Sequence, residues 1–163
     1  LDDLAPEMQN RAKTLVERLE ADGLPFVVFE SRRSFSRTMG LFMQGRAHVG
    51  GVISIVDKTK IVSNARAGES PHNWGLAVDC VLDPKHEWFR GEPPPSGPWD
   101  DGARNPVVAH AWTKYGRLVE SVGLVWGGKW RFRDLPHAEV PNWAGLRPKD
   151  WKGLALREVQ AGR

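Results

Sequence analysis

The sequence predicts an α+β domain in which helices pack on a small, mostly antiparallel sheet. Amphipathic segments of helical length alternate along the chain with short apolar segments that are typical of strands. The order is helix, strand, helix, strand, helix, strands, helix, and neither an internal repeat nor a linker interrupts it. A chain of 163 residues is also large enough to bury a core. We therefore interpret residues 1–163 as one domain.

The N-terminal part predicts two helices around a short strand. The segment Pro6–Ala21 carries apolar residues at helical spacing, begins with a proline and is followed by Gly23, which is typical of a helix end. Phe26–Phe29 is a short apolar strand. Ser34 is well placed as the N-cap of a second helix, which we expect to extend to about Gln44.

The middle of the chain predicts a loop and then a buried strand. Gly45–Gly68 is rich in glycine and polar residues, so we interpret it mainly as a surface loop with one strand at Val52–Val56. Leu76–Leu82 is almost continuously apolar, which indicates a strand that is covered on both faces.

The C-terminal half begins with a proline-rich insert at 84–106, which excludes helix and central strand. A long loop in a compact domain is often a binding loop, so we expect the insert to lie over or beside the functional site, although a passive excursion is the alternative. The remaining predicted elements are a helix at Val107–Val122, strands at Leu124–Trp126 and His137–Val140, and a helix at Lys149–Val159.

Composition excludes several classes of protein. No apolar run is long enough to span a bilayer. Cys80 is the single cysteine, which excludes an internal disulfide and a four-cysteine zinc site. The net charge of +3 suits contact with an anionic polymer but does not by itself indicate nucleic acid. Several of the eight tryptophans lie in glycine- or proline-rich context, where they could line a groove, although core packing is the commoner role.

One acidic residue stands out because it interrupts the apolar strand Leu76–Leu82. A buried, unpaired carboxylate at Asp79 would lose its hydration, so we expect a compensating cation. His72 precedes the strand, and His137 follows far downstream. Two neutral imidazoles and a carboxylate, with a fourth position for water, form the ligand set of a catalytic zinc. Spacing alone leaves alternatives open, since Asp79 could cap a turn or pair with an arginine and each histidine could simply be hydrogen-bonded.

Five blocks of sequence then carry a family resemblance. They are Glu30-Ser31-Arg32-Arg33-Ser34, Gln44-Gly45-Arg46, Gly68 through Asp79, Trp126-Gly127-Gly128-Lys129-Trp130 and Asp134-Leu135-Pro136-His137. Together they resemble the LAS group of zinc peptidases, which cut peptidoglycan stem peptides and share their fold with the hedgehog signalling domain. The group includes D-alanyl-D-alanine carboxypeptidases and dipeptidases and phage L-alanyl-D-glutamate endolysins. The endolysin branch has the most similar pattern.

The resemblance implies a hedgehog/D-Ala-D-Ala-peptidase-like fold and zinc (Zn2+) as the cofactor. It implies that His72, Asp79 and His137 hold the metal. A bound zinc ion would lower the pKa of water and polarise a peptide carbonyl, which agrees with the ligand set expected from the residues alone.

The resemblance also implies three further roles. Asp134 would be the general base, Arg33 would stabilise the oxyanion, and Ser70 would help to hold the substrate or to order the loop at the site. Two alternatives stay open. Arg32 replaces an aromatic residue of the family pattern and is an alternative to Arg33, and Glu139 is a rival for the role of base.

The function that follows from the resemblance is zinc-dependent hydrolysis of peptidoglycan at the L-alanyl-D-glutamate bond by a phage endolysin during host cell lysis. A D-alanyl-D-alanine carboxypeptidase or dipeptidase and a non-catalytic wall-binding module are the alternatives. We expect a monomer that binds bacterial peptidoglycan and neither binds nucleic acid nor inserts into membranes. Leu1-Asp2-Asp3-Leu4 does not resemble a secretory signal, which fits synthesis in the host cytoplasm and later release to the cell wall.

Overall fold

A computed structural model describes residues 1–163 and confirms the predicted α+β class. Its helices and strands are α1 (Pro6–Ala21), β1 (Phe26–Glu30), α2 (Phe35–Met43), β2 (Arg46–Val49), β3 (Val52–Ile55), β4 (Ala77–Leu82), α3 (Pro106–Ser121), β5 (Val125–Trp126), β6 (His137–Glu139) and α4 (Trp151–Gln160). The main sheet has the strand order β1-β4-β6-β5, and every neighbouring pair is antiparallel. β2 and β3 form a separate two-stranded sheet.

Capping side chains fix the starts of two helices, α2 and α3. The Ser34 hydroxyl accepts a hydrogen bond from the backbone N–H of Arg37 at 3.1 Å, so it caps α2 as predicted. At the start of α3, the Asn105 side chain accepts hydrogen bonds from the backbone N–H groups of Val107 and Val108 at 3.0 and 3.3 Å. None of the four helices combines the length and the apolar character that crossing a membrane requires.

The core lies between the main sheet and the apolar faces of α1 and α3. Alternate residues of the central strand β4 belong to this core, namely Val78, Cys80 and Leu82. The residue between the first two, Asp79, therefore points to the opposite face of the sheet. Because β6 pairs with β4 in the register Asp79 to His137, both side chains emerge side by side on that face.

The segment Gly45–Gly68 is more regular than the sequence indicated. The prediction of a loop was wrong for Arg46–Val49, which pairs with β3 in the register Val49 to Val52. The connecting residues Gly50 and Gly51 have φ angles of 57° and 83°, which a tight hairpin turn requires. The hairpin was missed because it has no buried face: Val49 and Val52 are exposed, so no alternation of apolar and polar residues marks it.

Candidate metal centre and active site

Two histidines and one aspartate meet on the face of the sheet that is turned away from the core. Asp79 Oδ1 lies 3.1 Å from His137 Nδ1 and 3.2 Å from His72 Nε2. The two ring nitrogens are themselves 3.2 Å apart. The structure therefore brings the three sequence-predicted metal-binding residues into one triangle of donor atoms, although they are up to 65 positions apart in the chain.

The orientation of His72 is fixed by the chain that follows β1. His72 belongs to the short helical turn Pro71–Trp74, which leads into β4. Its Nδ1–H donates a hydrogen bond to the backbone carbonyl oxygen of Ser31 at 2.7 Å. This bond places the proton on Nδ1 and leaves the Nε2 lone pair directed at Asp79, which is the arrangement that a metal-binding histidine needs.

His137 is held in the opposite tautomer. Its Nε2 lies 3.1 Å from Glu139 Oε2, so Nε2–H donates to this carboxylate, and Nδ1, which is directed at Asp79 and His72, is the atom that would bind a metal. Burial alone would lower the pKa of His137, but hydrogen bonds to Asp79 and Glu139 outweigh it and raise this pKa to about 9. Burial would likewise raise the pKa of Asp79, yet the neighbouring imidazole rings of His137 and His72 hold it far below its ordinary value.

The donor set fits zinc. His72, Asp79 and His137 each offer one ligand atom, and all of these atoms lie within 4.8 Å of one another. Tetrahedral zinc with ligands at about 2.0–2.1 Å would separate those ligands by about 3.3 Å, and the observed separations are 3.1 and 3.2 Å. Two imidazole lone pairs and a carboxylate need a cation between them, and a zinc ion held by these three residues would supply it.

Asp134 lies beside this triangle because Gly127, which has no side chain, lets the backbone of Asp134 approach closely. Its backbone N–H donates to the carbonyl oxygen of Gly127 at 3.0 Å. A Cβ atom at position 127 would lie 2.6 Å from the Asp134 carbonyl oxygen and 3.1 Å from the His137 Cβ atom. The carboxylate of Asp134 lines the cavity, and desolvation by the surrounding protein raises its pKa above the ordinary value of 3.8.

The Trp-Gly-Gly segment that precedes Asp134 acts as its support. The indole N–H of Trp126 donates to the carbonyl oxygen of Leu135 at 2.8 Å. The Trp126 ring packs so closely on Gly116 of α3 and on Gly128 that a Cβ atom at either position would lie 2.2 Å from it. The block Trp126-Gly127-Gly128 thus places the turn that leads from Asp134 to His137.

Arg33, rather than Arg32, lies at the cavity. The Arg33 guanidinium approaches Asp79 Oδ2 to 3.5 Å, and its Nε donates to Glu30 Oε2 at 2.8 Å. Arg37 Nε donates to the other oxygen of Glu30 at 2.7 Å. Arg32 lines a separate surface depression beside the C-terminal end of α4. The sequence did not indicate Glu30, whose side chain turns towards the cavity because the β1–β4 register shifts between Val28 and Glu30.

Ser70 is buried and lines the cavity, and its carbonyl oxygen accepts a hydrogen bond from the Asn73 N–H at 3.1 Å. Asn73, whose side chain is fully buried, was not singled out from the sequence. Its amide donates to Thr38 Oγ1 at 2.7 Å and to the Arg33 carbonyl oxygen at 3.1 Å, and its oxygen accepts from the Gly68 N–H at 2.9 Å. Asn73 therefore joins the segment that carries Arg33 to the segment that carries His72.

A cavity of about 1000 Å3 opens above these residues. Two further cations, Arg37 and Arg133, lie on its wall. Five aromatic side chains also line it: Phe29, Trp99, Trp130, Phe132 and Trp143. A cleft of this size accommodates several residues of an extended peptide.

The sequence of this chain is similar to those of known peptidases. Residues 2–90 and residues 63–140 match two family models, each described as D-alanyl-D-alanine carboxypeptidase. The peptidoglycan L-alanyl-D-glutamate endopeptidase CwlK of Bacillus subtilis (strain 168) is 35% identical over 145 residues, which are 86% of this chain and 75% of that protein. The crystal structure of the Serratia marcescens L-Ala D-Glu endopeptidase ChiX aligns with a TM-score of 0.44 and 23% identity, over 84% of this chain and 80% of that one.

An α+β fold that presents two histidines and an aspartate beside a free carboxylate and an arginine defines a zinc metallopeptidase. The chain belongs to the LAS-type zinc peptidase family, which includes the D-alanyl-D-alanine carboxypeptidases. The family resemblance and the zinc cofactor expected from the sequence are thus confirmed.

Proposed function

We propose that this chain hydrolyses the L-alanyl-D-glutamate bond of bacterial peptidoglycan, with His72, Asp79 and His137 as the zinc ligands. The observation that carries the proposal is the convergence of these three ligand atoms on the wall of one cavity that also contains Asp134 and Arg33. The relative from Bacillus subtilis, which is named for this bond, supports the choice of substrate. Residues 1–163 would then act as one catalytic domain.

When bound, zinc supplies a Lewis acid that polarises the peptide carbonyl and lowers the pKa of water. Asp134 then takes a proton from the attacking water and returns it to the leaving amine of D-glutamate. Two features of Asp134 suit it to this role. Its carboxylate receives no hydrogen bond from the protein, and its raised pKa makes it a stronger base than an ordinary aspartate.

Arg33 stabilises the negative charge that develops on the carbonyl oxygen of the scissile bond. Its guanidinium is held on the cavity wall by Glu30 and lies within 3.5 Å of Asp79, so it needs little reorganisation to act. Ser70, which directly precedes the turn that carries His72 and lines the cavity, helps to hold the stem peptide.

The second candidate is a D-alanyl-D-alanine carboxypeptidase, because both matching family models carry that description. Such an enzyme must recognise a free C-terminal carboxylate, for which Arg37 and Arg133 are available on the cavity wall. Both candidates use the same zinc ligands and base, and they differ in which peptide bond is brought to them.

Synthetic stem peptides separate the two candidates. A pentapeptide with the order L-Ala, D-Glu, diamino acid, D-Ala, D-Ala would be incubated with the zinc-loaded protein, and the products identified by mass spectrometry. Release of L-alanine supports the endopeptidase, and release of D-alanine supports the carboxypeptidase. Cleavage of neither bond, together with binding to intact walls that survives in His137→Ala, would replace both with a wall-binding module.

We further propose that the enzyme acts as a monomeric phage endolysin. Its mild positive charge of +3 suits an anionic wall polymer. The test is expression in a bacterial cytoplasm with and without a separately induced membrane pore. Rapid lysis that needs both the pore and an intact Asp134 supports an endolysin, and viability under both conditions contradicts it.

A further inference from the structure

We propose that Phe29 and Trp99 form a saccharide-binding surface at the rim of the cavity, which holds the glycan to which the stem peptide is attached. We call this pair the aromatic shelf. The inference rests on the proposed function, since it adds the sugar to the peptide that the site is proposed to cut. It also gives the proline-rich insert at 84–106, which contributes Trp99, a specific role.

The two rings are exposed although they contact each other. Phe29 is 51% exposed and Trp99 is 53% exposed. Their ring centroids are 4.8 Å apart and the ring planes meet at 80°, so they pack edge to face. Both side chains line the cavity that contains the zinc ligands. Large aromatic surface left open beside an active site is a feature of ligand-binding surfaces.

The insert is built to hold Trp99 in place. Asp100, the next residue, is 5% exposed. One of its carboxylate oxygens accepts from the Ser96 N–H at 2.9 Å and the other from the Gly102 N–H at 2.8 Å, so it fixes the chain on both sides of Trp99. The Trp112 indole N–H anchors the Asp100 carbonyl oxygen to α3 at 2.7 Å. An exposed ring on a fixed backbone loses little entropy when a ligand covers it.

The position of the shelf matches the position of the sugar. Phe29 precedes Glu30, which is the register partner of Asp79. In peptidoglycan, L-alanine joins the stem peptide to the lactyl group of N-acetylmuramic acid. One amino acid, at about 3.3–3.6 Å per residue, therefore separates the scissile bond from the glycan. A peptide bound with this bond over Asp79 and with its L-alanine towards Phe29 would bring the sugar to the two rings.

The chemistry of the shelf also selects a sugar. Alanine and glutamate flank the scissile bond, and neither has a large apolar group that would cover two aromatic rings. An N-acetylated hexosamine has a face of C–H groups with positive partial charge, which complements the negative face of an aromatic ring. The glycan is thus the part of the substrate that fits the exposed surface of Phe29 and Trp99.

The experiment compares two substrates that differ only in the sugar. The full chain, loaded with zinc, would be assayed on a stem tetrapeptide linked to its disaccharide and on the same free tetrapeptide. We expect Trp99→Ala to lower kcat/KM for the disaccharide-linked peptide by about three- to ten-fold and to leave the free peptide unchanged. Equal losses on both substrates, or no loss on either, would overturn the proposal.

Three variants control for folding and for ring chemistry. Trp99→Phe keeps an aromatic face and should retain most of the preference for the linked sugar. Phe29→Thr removes the other ring from an exposed strand position and should reproduce Trp99→Ala. Val107→Ala changes an apolar side chain that is 45% exposed and lies outside the cavity, so it should leave kcat/KM unchanged for both substrates. A lower kcat/KM for both substrates in Val107→Ala would contradict a specific role for the rings.

A binding measurement keeps this proposal separate from the proposed function. Peptide-free disaccharide would be titrated into the wild-type chain and into Trp99→Ala while the indole resonances are followed by NMR. Saturable shifts in the wild type that are lost in the variant support the shelf even if neither peptide is cleaved. Absence of shifts overturns it, as does wild-type self-association that Trp99→Ala abolishes without any effect of the sugar.

Discussion

Glu139 Oε2 lies 3.1 Å from His137 Nε2, on the side of the imidazole ring that faces away from Asp79. The two residues occupy alternate positions of β6, so their side chains share one face of the sheet. Glu139 therefore fixes the tautomer of His137. This role differs from that of general base, for which the sequence made Glu139 a candidate.

Replacement of Glu139 by alanine should weaken zinc binding by about 10–100-fold, because the Nε2 proton of His137 loses its acceptor and the ring becomes free to turn. Titration of the metal against a competing chelator measures this change. Glu20→Ala, on the exposed surface of α1, is the matched control and should leave the affinity unchanged. Unchanged affinity with lost turnover in Glu139→Ala would instead make Glu139 the base.

Replacement of Asp134 by alanine should lower kcat by about 10²–10⁴-fold and leave zinc bound, since this carboxylate lies outside the triangle of ligand atoms. Steady-state kinetics on a stem peptide and metal analysis of the same sample give both quantities. Asp22→Ala, at the exposed end of α1, is the control. Loss of metal from Asp134→Ala alone would show that Asp134 is a ligand.

The acid limb of the pH profile should report the deprotonation of Asp134. Desolvation raises the pKa of Asp134 above 3.8, and a general base is active only when it is deprotonated. Activity is therefore full above this raised pKa and decreases as the pH falls through it. The logarithm of kcat/KM plotted against pH should show this limb, and Asp134→Glu should move it. A limb at the same pH in that variant would assign the titration to another group.

Gly127 should not tolerate a side chain. A Cβ atom there would lie 2.6 Å from the Asp134 carbonyl oxygen, so Gly127→Ala must displace the turn that connects Asp134 to His137. We expect a loss of about 1–3 kcal/mol in the free energy of unfolding and a lower kcat/KM. Gly145→Ala is the control, because a Cβ atom at position 145 meets nothing within 4 Å. Denaturant titration of both variants measures the difference, and equal stability would contradict the close approach.

Much of the fold and the placement of the candidate site could be predicted, because the deciding signals are contiguous in the sequence. The apolar run of β4 with Asp79 in its middle predicts both a buried strand and a cation next to it. His72 was identified as a candidate ligand because it lies in the turn before that strand, and His137 because it belongs to a downstream block of the family pattern. The structure brings all three together, and their binding of zinc stays a prediction.

The contacts that support the site were harder to predict, since they depend on register and on tertiary contacts. Glu30 reaches Arg33 only because the pairing of β1 with β4 shifts by one residue, and no local pattern signals such a bulge. Asn73 is buried through four partners from three segments. The alternation of residues 137 and 139 on one strand could have identified Glu139 as a partner of His137.

The most direct test of the central claim is digestion of purified peptidoglycan with and without removal of zinc. The protein would be treated with a chelator and then reconstituted with zinc, and free amino termini in the digest would be identified by mass spectrometry. We expect new D-glutamate amino termini that disappear on chelation, return with zinc, and are absent for His137→Ala under all conditions. New D-glutamate termini that persist without metal would contradict this expectation.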